Sequence, residues 1–92
     1  MAKNVRGAFT VPGDSAIFTV QGKYSITLDC TGTDSATVVV KRRSPGGNWV
    51  ALDSFEVTLA APVAKEGNSG ATHEYVFSCS AVGGACNYYG GQ

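Results

Sequence analysis

Lys23-Tyr24-Ser25-Ile26-Thr27-Leu28-Asp29-Cys30 places an apolar side chain at every second position. Tyr24, Ile26, Leu28 and Cys30 alternate with Ser25, Thr27 and Asp29. In an extended chain successive side chains leave opposite faces, so the first set reads as buried and the second as hydrated. The segment is therefore a half-buried β-strand. Its neighbours repeat the theme in short bursts. Residues 9–11 form a brief apolar run that ends at the turn residues Pro12-Gly13-Asp14. Residues 16–20, Ala-Ile-Phe-Thr-Val, are β-rich, and Gln21-Gly22 reads as a tight hairpin turn joining them to the strand at 23–30.

Downstream, residues 31–35 are polar and turn-like. Residues 36–43 centre on Val38-Val39-Val40, a continuous apolar triplet that predicts cover on both faces, and end in Lys41-Arg42-Arg43. Ser44-Pro45-Gly46-Gly47-Asn48 is a strong turn signal, and residues 49–53 run back from it. Residues 36–53 thus read as a hairpin. Phe55, Val57 and Leu59 alternate with Glu56 and Thr58 as a further half-buried strand. Residues 60–72, with Pro62, Gly67 and Gly70, read as the longest irregular loop, able to make contacts. Residues 74–80 set Tyr75, Phe77 and Cys79 on one face. Val82-Gly83-Gly84 reads as a turn, and residues 85–89 as a last strand, followed by Gly90-Gly91-Gln92 docked on its own sheet or on a neighbour.

No segment carries apolar residues at i, i+3 and i+4 over ten residues, so no substantial helix is expected. Seven to eight short strands divided by turns predict an all-β antiparallel sandwich or barrel, Ig-like or jelly-roll-like, as one domain spanning residues 1–92. Composition agrees. Val, Ile and Thr supply 21 residues against three Leu, which is wrong for a helical bundle and right for pleated sheet. The expected core aromatics are Trp49, Phe55, Tyr75 and Phe77.

Charge narrows the function. Seven Lys and Arg balance seven Asp and Glu, and charged residues make up 15% of the chain, against about 25% for an average domain. That leaves no basic field to hold nucleic acid, so no specific nucleic-acid partner is expected. No apolar run approaches the ~18 residues of a membrane span, and no membrane partner is expected. Little charge also means little repulsion between copies. A small domain has a thin margin of stability and gains from association, so a homo-oligomer is expected. No apolar run follows Met1-Ala2-Lys3-Asn4-Val5-Arg6-Gly7 as in a signal peptide, which places synthesis in a reducing cytoplasm.

The candidate chemical groups are sparse. Cys30, Cys79 and Cys86 are an odd number and lack the paired short spacings of a zinc site, with or without His73, so no metal and no cofactor is expected. Reduced thiols serving as small core residues are the expectation. His73 has no nucleophile motif or second histidine beside it. The acidic residues are scattered singly, and the glycine pairs lack the Lys-Ser or Lys-Thr of a phosphate loop. No catalytic residue is assigned. The candidate interface residues are the cluster Lys41, Arg42 and Arg43, the loop residues Lys65 and Glu66, and Tyr88 and Tyr89. Adjacent tyrosines in a strand face opposite ways, so one is turned out, where a ring can pack while its hydroxyl stays hydrogen-bonded.

Cys30, Trp49 and Tyr75-Val76-Phe77-Ser78-Cys79 resemble in outline the Cys–Trp–Cys framework of immunoglobulin domains, with Phe77 where a tyrosine would stand. That implies Ig-like sandwich geometry. A further resemblance covers residues 36–92. The run Val38 to Arg43, the turn Ser44-Pro45-Gly46-Gly47-Asn48, Trp49-Val50-Ala51-Leu52 and the strand beginning at Phe55 are similar to small β-sandwich virion proteins of tailed bacteriophages. Tyr75-Val76-Phe77-Ser78-Cys79 and a glycine-containing last strand complete the pattern. It implies a non-enzymatic virion structural protein, located in the virion after synthesis in the host cytoplasm. The leading expectation is a capsid decoration or cement protein whose partners are other virion proteins, such as the major capsid protein. A tail or head–tail connector component is the alternative placement. From another class, an Ig-like carbohydrate- or peptide-binding module would use Trp49 and the tyrosines as platforms. A buried Trp49 favours the structural reading and an exposed one the binding reading.

Overall fold

The computed structural model describes residues 2–92. Nine strands run through the described residues: β1 (Asn4–Phe9), β2 (Gly13–Asp14), β3 (Phe18–Val20), β4 (Lys23–Cys30), β5 (Ser35–Arg43), β6 (Trp49–Thr58), β7 (Val63–Asn68), β8 (His73–Gly83) and β9 (Cys86–Gly91). They form two sheets, and every pairing is antiparallel. The first has the order β1-β9-β4-β7, and the second β2-β8-β5-β6 with β3 also on β8. The protein is a small all-β sandwich, with no helix among the described residues. The count exceeds the expected seven to eight because β2 is a two-residue pairing inside the Pro12-Gly13-Asp14 turn and β7 lies inside the stretch expected to be a loop.

β4 behaves as its alternation predicts: Ile26, Leu28 and Cys30 are buried while Thr27 and Asp29 are exposed. β5 and β6 form the expected hairpin, which continues through Thr58 as one strand rather than two. Gln21-Gly22 is not a hairpin turn. β3 pairs with β8 in the second sheet and β4 pairs with β7 and β9 in the first, so these two residues carry the chain between layers. Gly22 takes φ +84° there, a left-handed conformation cheap only for glycine. Ser69 fastens the crossing: its N–H donates to the Gly22 carbonyl at 2.8 Å and its Oγ accepts from the Gly22 N–H at 3.1 Å.

Six rings run through the core in contact: Phe9, Tyr88, Phe77, Phe18, Tyr75 and Tyr24, with successive centroids 4.6, 5.6, 5.5, 5.8 and 5.2 Å apart. Aromatic pairs in this range add about 0.5–1.5 kcal/mol each beyond their buried area. Val20, Leu28, Val38, Val40 and Val57 fill the space around them. The expected Tyr75 and Phe77 are there, and Phe55 packs partly buried at the margin. Trp49 is not in the core, for a reason that lies in β6.

Candidate functional site

The β5–β6 ladder pairs Val40 with Asp53 but Lys41 with Ala51, so Leu52 is an extra residue, a β-bulge. One extra residue reverses the facing of everything beyond it. Val57, Phe55 and Asp53 share the inner face with Val40. Past the bulge, Trp49 pairs with Arg43 on the outer face. The Arg43 guanidinium lies 4.7 Å from the centroid of the Trp49 ring, a cation–π contact. The expectation of a core Trp49 is thereby corrected: the ring is half-buried on the outside of the second sheet. Leu59, expected on a buried face, lies beyond the end of β6 and is 60% exposed.

The sandwich leaves two free edges side by side, β6 in one sheet and β7 in the other. β7 corrects the loop expected at 60–72. Val63–Asn68 pairs with β4 from Leu28↔Val63 to Lys23↔Asn68. Pro62 and Gly67, read as loop residues, are at home on an edge strand, where a proline precedes the ladder and a glycine accommodates a close neighbour. Lys65 and Glu66 are thus strand residues. Lys65 Nζ donates to Asp53 Oδ2 at 2.5 Å, across from one sheet to the other, and lies 5.4 Å from the centroid of the Phe55 ring. This pairing holds the Asp53 carboxyl below its usual range, with a second hydrogen bond from the Ser54 N–H. Behind the bridge is a cleft of about 250 Å³ whose lining includes Tyr24, Ile26, Val40 and Leu52. Burial pushes the Tyr24 phenol up, Tyr75 adds to this, and the charges of Arg42 and Lys65 pull the other way.

The basic cluster does not act as one patch. Lys41, Arg42 and Arg43 are all half-buried at the end of β5. Arg43 sits over Trp49, while Arg42 pairs with Val50 and Tyr75 and its charge reaches Tyr24. Arg43 Nε is 3.5 Å from Glu74 Oε1, close enough for charge attraction but not aligned as a hydrogen bond, and that N–H is enclosed without an acceptor. Beside it a shallow depression of about 460 Å³ is bordered by Ser44, Pro45, Thr72, His73 and Glu74.

Tyr88 and Tyr89 divide as expected. Tyr88 packs on Phe9 and Phe77 in the core. Tyr89 faces outward under the Arg6 guanidinium, 5.4 Å from its ring centroid, and donates its hydroxyl to the Gln92 carbonyl at 3.1 Å. The last residues dock on their own sandwich: the Gln92 side-chain amide donates to the Gln21 carbonyl at 2.6 Å. All three cysteines are free and buried. Among the described residues, no group of three His, Cys, Asp or Glu is placed to hold a metal ion.

The site that the geometry assembles is the β6 edge. This ten-residue strand is paired on one side only, with the Ser54 N–H taken by the Asp53 carboxylate and with Val50 at 51% and Leu52 at 44% exposure. Sequence reasoning missed Val50 and Leu52, because a bulge leaves no mark in the apolar–polar pattern, and Asp53, because a lone acidic residue in a strand reads as solvated.

No family model and no curated protein sequence matches the chain. A solved structure similar in fold is the crystal structure of the Yersinia pseudotuberculosis-derived mitogen. It aligns with a TM-score of 0.56 over 99% of this chain and 86% of that one, at 11% sequence identity. At that identity the likeness is one of fold alone.

Proposed function

We propose that this chain is a non-enzymatic assembly protein that joins other proteins by adding its free β6 edge to their sheets or strands. The observation that carries the reading is that edge: a ten-residue strand paired on one side only, with exposed Val50 and Leu52. Natural sandwiches usually blunt such an edge. The Leu52 bulge and the inward-turned Asp53 interrupt this one partway, and the exposed apolar stretch beside them suits strand addition, in which main-chain hydrogen bonds give affinity and flanking side chains give specificity. The sequence resemblance over residues 36–92 supplies the setting: a virion, with the chain as a decoration or cement protein on the capsid, or alternatively a tail or connector component. A protein that binds only the assembled shell stabilises it by its binding free energy, and repeated copies turn a modest interface into avidity.

The test mixes the purified protein with bare phage shells and follows backbone amide exchange. The expected result is co-sedimentation, a higher shell melting temperature and protection of the β6 amides. Absence of co-sedimentation together with unprotected β6 amides removes the reading.

A second reading is favoured by Trp49, which lies outside the core against Arg43, itself a lining residue of the Ser44–His73 depression. In this reading the chain is a carbohydrate- or peptide-binding module with the Trp49–Arg43 pair at its site. Quenching or shift of Trp49 fluorescence on titration with glycans or peptides supports it, and a flat response across both classes counts against it. The mitogen's activity belongs to that protein and adds only the shared fold.

A further inference from the structure

Cys30 closes β4 and Cys86 opens β9, and the two are direct partners in the antiparallel ladder between those strands. Both side chains are buried on the inner face. Directly opposed residues in such a ladder have Cα atoms about 4.5–5.5 Å apart, inside the range of about 4.4–6.8 Å that a disulfide spans. The ladder thus sets the two α-carbons within disulfide span. Cys79 is placed differently. It lies on β8 in the other sheet, paired with Val38 and Gly13, and its thiol is engaged with the Ala81 carbonyl at 3.3 Å. Cys79 is close enough to bear on the Cys86 thiol, but it is a ladder partner of neither cysteine.

We propose that Cys30 and Cys86 are an oxidation site, converted by a low-molecular-weight disulfide into a cross-strand bond that staples β4 to β9 and leaves Cys79 a free thiol. The chemistry is thiol–disulfide exchange. One cysteine, as its thiolate, attacks a sulfur of the small disulfide and releases one small thiolate, leaving a mixed disulfide on the protein. The second cysteine, also deprotonated, attacks the protein sulfur of that mixed disulfide and releases the other small thiolate. The two protons lost by the cysteines end on the two small thiols. The protein pair is oxidised by two electrons and the small disulfide is reduced by the same two.

Access decides when this happens. Burial, reinforced by the Cys30 thiol, pushes the Cys86 thiol up to about 12, so in the closed sandwich it stays protonated and does not attack. The step therefore belongs to the chain as it folds, or to an opening of this end of the sandwich. The β8–β9 turn that guards the end is held by Asp34, whose Oδ2 accepts from the Ala85 N–H at 3.2 Å.

The test refolds the full chain from denaturant with glutathione disulfide, blocks remaining thiols with iodoacetamide and maps the peptides by mass spectrometry. The expected product carries one Cys30–Cys86 bond, lacks two hydrogen atoms relative to the reduced chain and is alkylated at Cys79 alone. Its denaturation midpoint is higher than that of the reduced form and falls back on treatment with dithiothreitol. The Cys79→Ala variant closes the same bond, and Cys86→Ala closes none. A bond mapped to Cys79, or three alkylated cysteines after refolding of the unaltered chain, overturns the assignment without recourse to any variant.

Discussion

The Tyr24 ring lies across the α-carbon of Gly67 on the neighbouring strand, so close that a methyl group there would sit 2.6 Å from the phenol oxygen. Tyr88 covers Gly7 in the same way, also at 2.6 Å. The first sheet thus treats both of its edge strands, β7 and β1, alike. Each carries a glycine, and the next strand in lays a tyrosine over it, covering backbone that would otherwise be open to water.

Replacing Gly67 with alanine is therefore expected to destabilise the protein. An exposed strand glycine ordinarily gains about 0.4–1 kcal/mol from alanine where the backbone permits it. Here the new methyl must displace a ring held against Tyr75 at 5.2 Å, at about 1–3 kcal/mol. Urea denaturation of Gly67→Ala, Tyr24→Leu and the double variant checks this. The double variant is expected to lose less than the sum of the two singles, because the clash is gone. A stabilised Gly67→Ala protein would show that the ring is free to leave.

Gly90 is a harsher case. A methyl there meets Phe77 Cζ at 2.6 Å and Phe18 Cζ at 2.9 Å, and both rings are fully buried with nowhere to go. Gly90→Ala is expected to cost about 3 kcal/mol, more than either edge glycine, and thermal melts of the three variants rank them.

The outward Trp49 makes a contrasting expectation. Trp49→Phe should cost less than about 1 kcal/mol, whereas Phe77→Ala in the core should cost about 3–5 kcal/mol. Arg43→Ala should leave stability near the parent value while raising acrylamide quenching of Trp49 and shifting its emission to the red. Unchanged quenching would mean that the guanidinium does not shield the ring.

The Asp53–Lys65 bridge predicts a local pH response. Asp53 is held low in the folded protein by Lys65, so the folded state binds its proton less readily than the unfolded state does. Its stabilising effect is present above the unfolded carboxyl pKa of about 3.9 and is lost as pH falls through the lower folded value. Carboxyl NMR titration of Lys65→Met should return Asp53 toward its ordinary range. An unmoved titration would show that the bridge is not formed in solution.

Cys86 works in the opposite direction. Its thiol is raised in the fold to about 12, so above the unfolded thiol pKa of about 8.5 the unfolded chain ionises there while the folded chain does not. Stability should fall as pH rises from about 9 toward that folded value. Cys86→Ala should show a shallower alkaline decline under reducing conditions, measured by denaturant midpoint against pH.

What the chain discloses without a structure follows from where one residue's surroundings are set locally. Tyr24, Ile26, Leu28 and Cys30 face inward because period-two alternation needs no knowledge of the partner strand, and the same holds for Tyr75, Phe77 and Cys79. The facing of Trp49 depends instead on the bulge at Leu52, a two-against-one pairing that only the opposite strand defines. Gln21-Gly22 has the length of a hairpin turn, and only the pairing of β3 with β8 makes it a crossing. Pro62 and Gly67 signal interruption of a ladder, and an edge strand interrupts one as a loop does. The interface suffers most: Lys65 and Glu66 lie beside β6, but Leu52 is the bulge itself and Val50 lies beyond it, where the apolar–polar pattern no longer tells which way a side chain faces.

The Gln92 N–H donates to the Lys3 carbonyl at 3.2 Å, and the Ala2 carbonyl accepts from the Thr19 N–H at 2.8 Å. Residues 3 and 92 thus meet at one pole, and the backbone is almost a closed ring. A short peptide joining them, with new ends cut at the exposed turn around Gly32, would give a permuted chain with the same sheet order. Anything fused beyond residue 3 or residue 92 would leave from that pole and stay clear of the opposite one, where Leu59 stands.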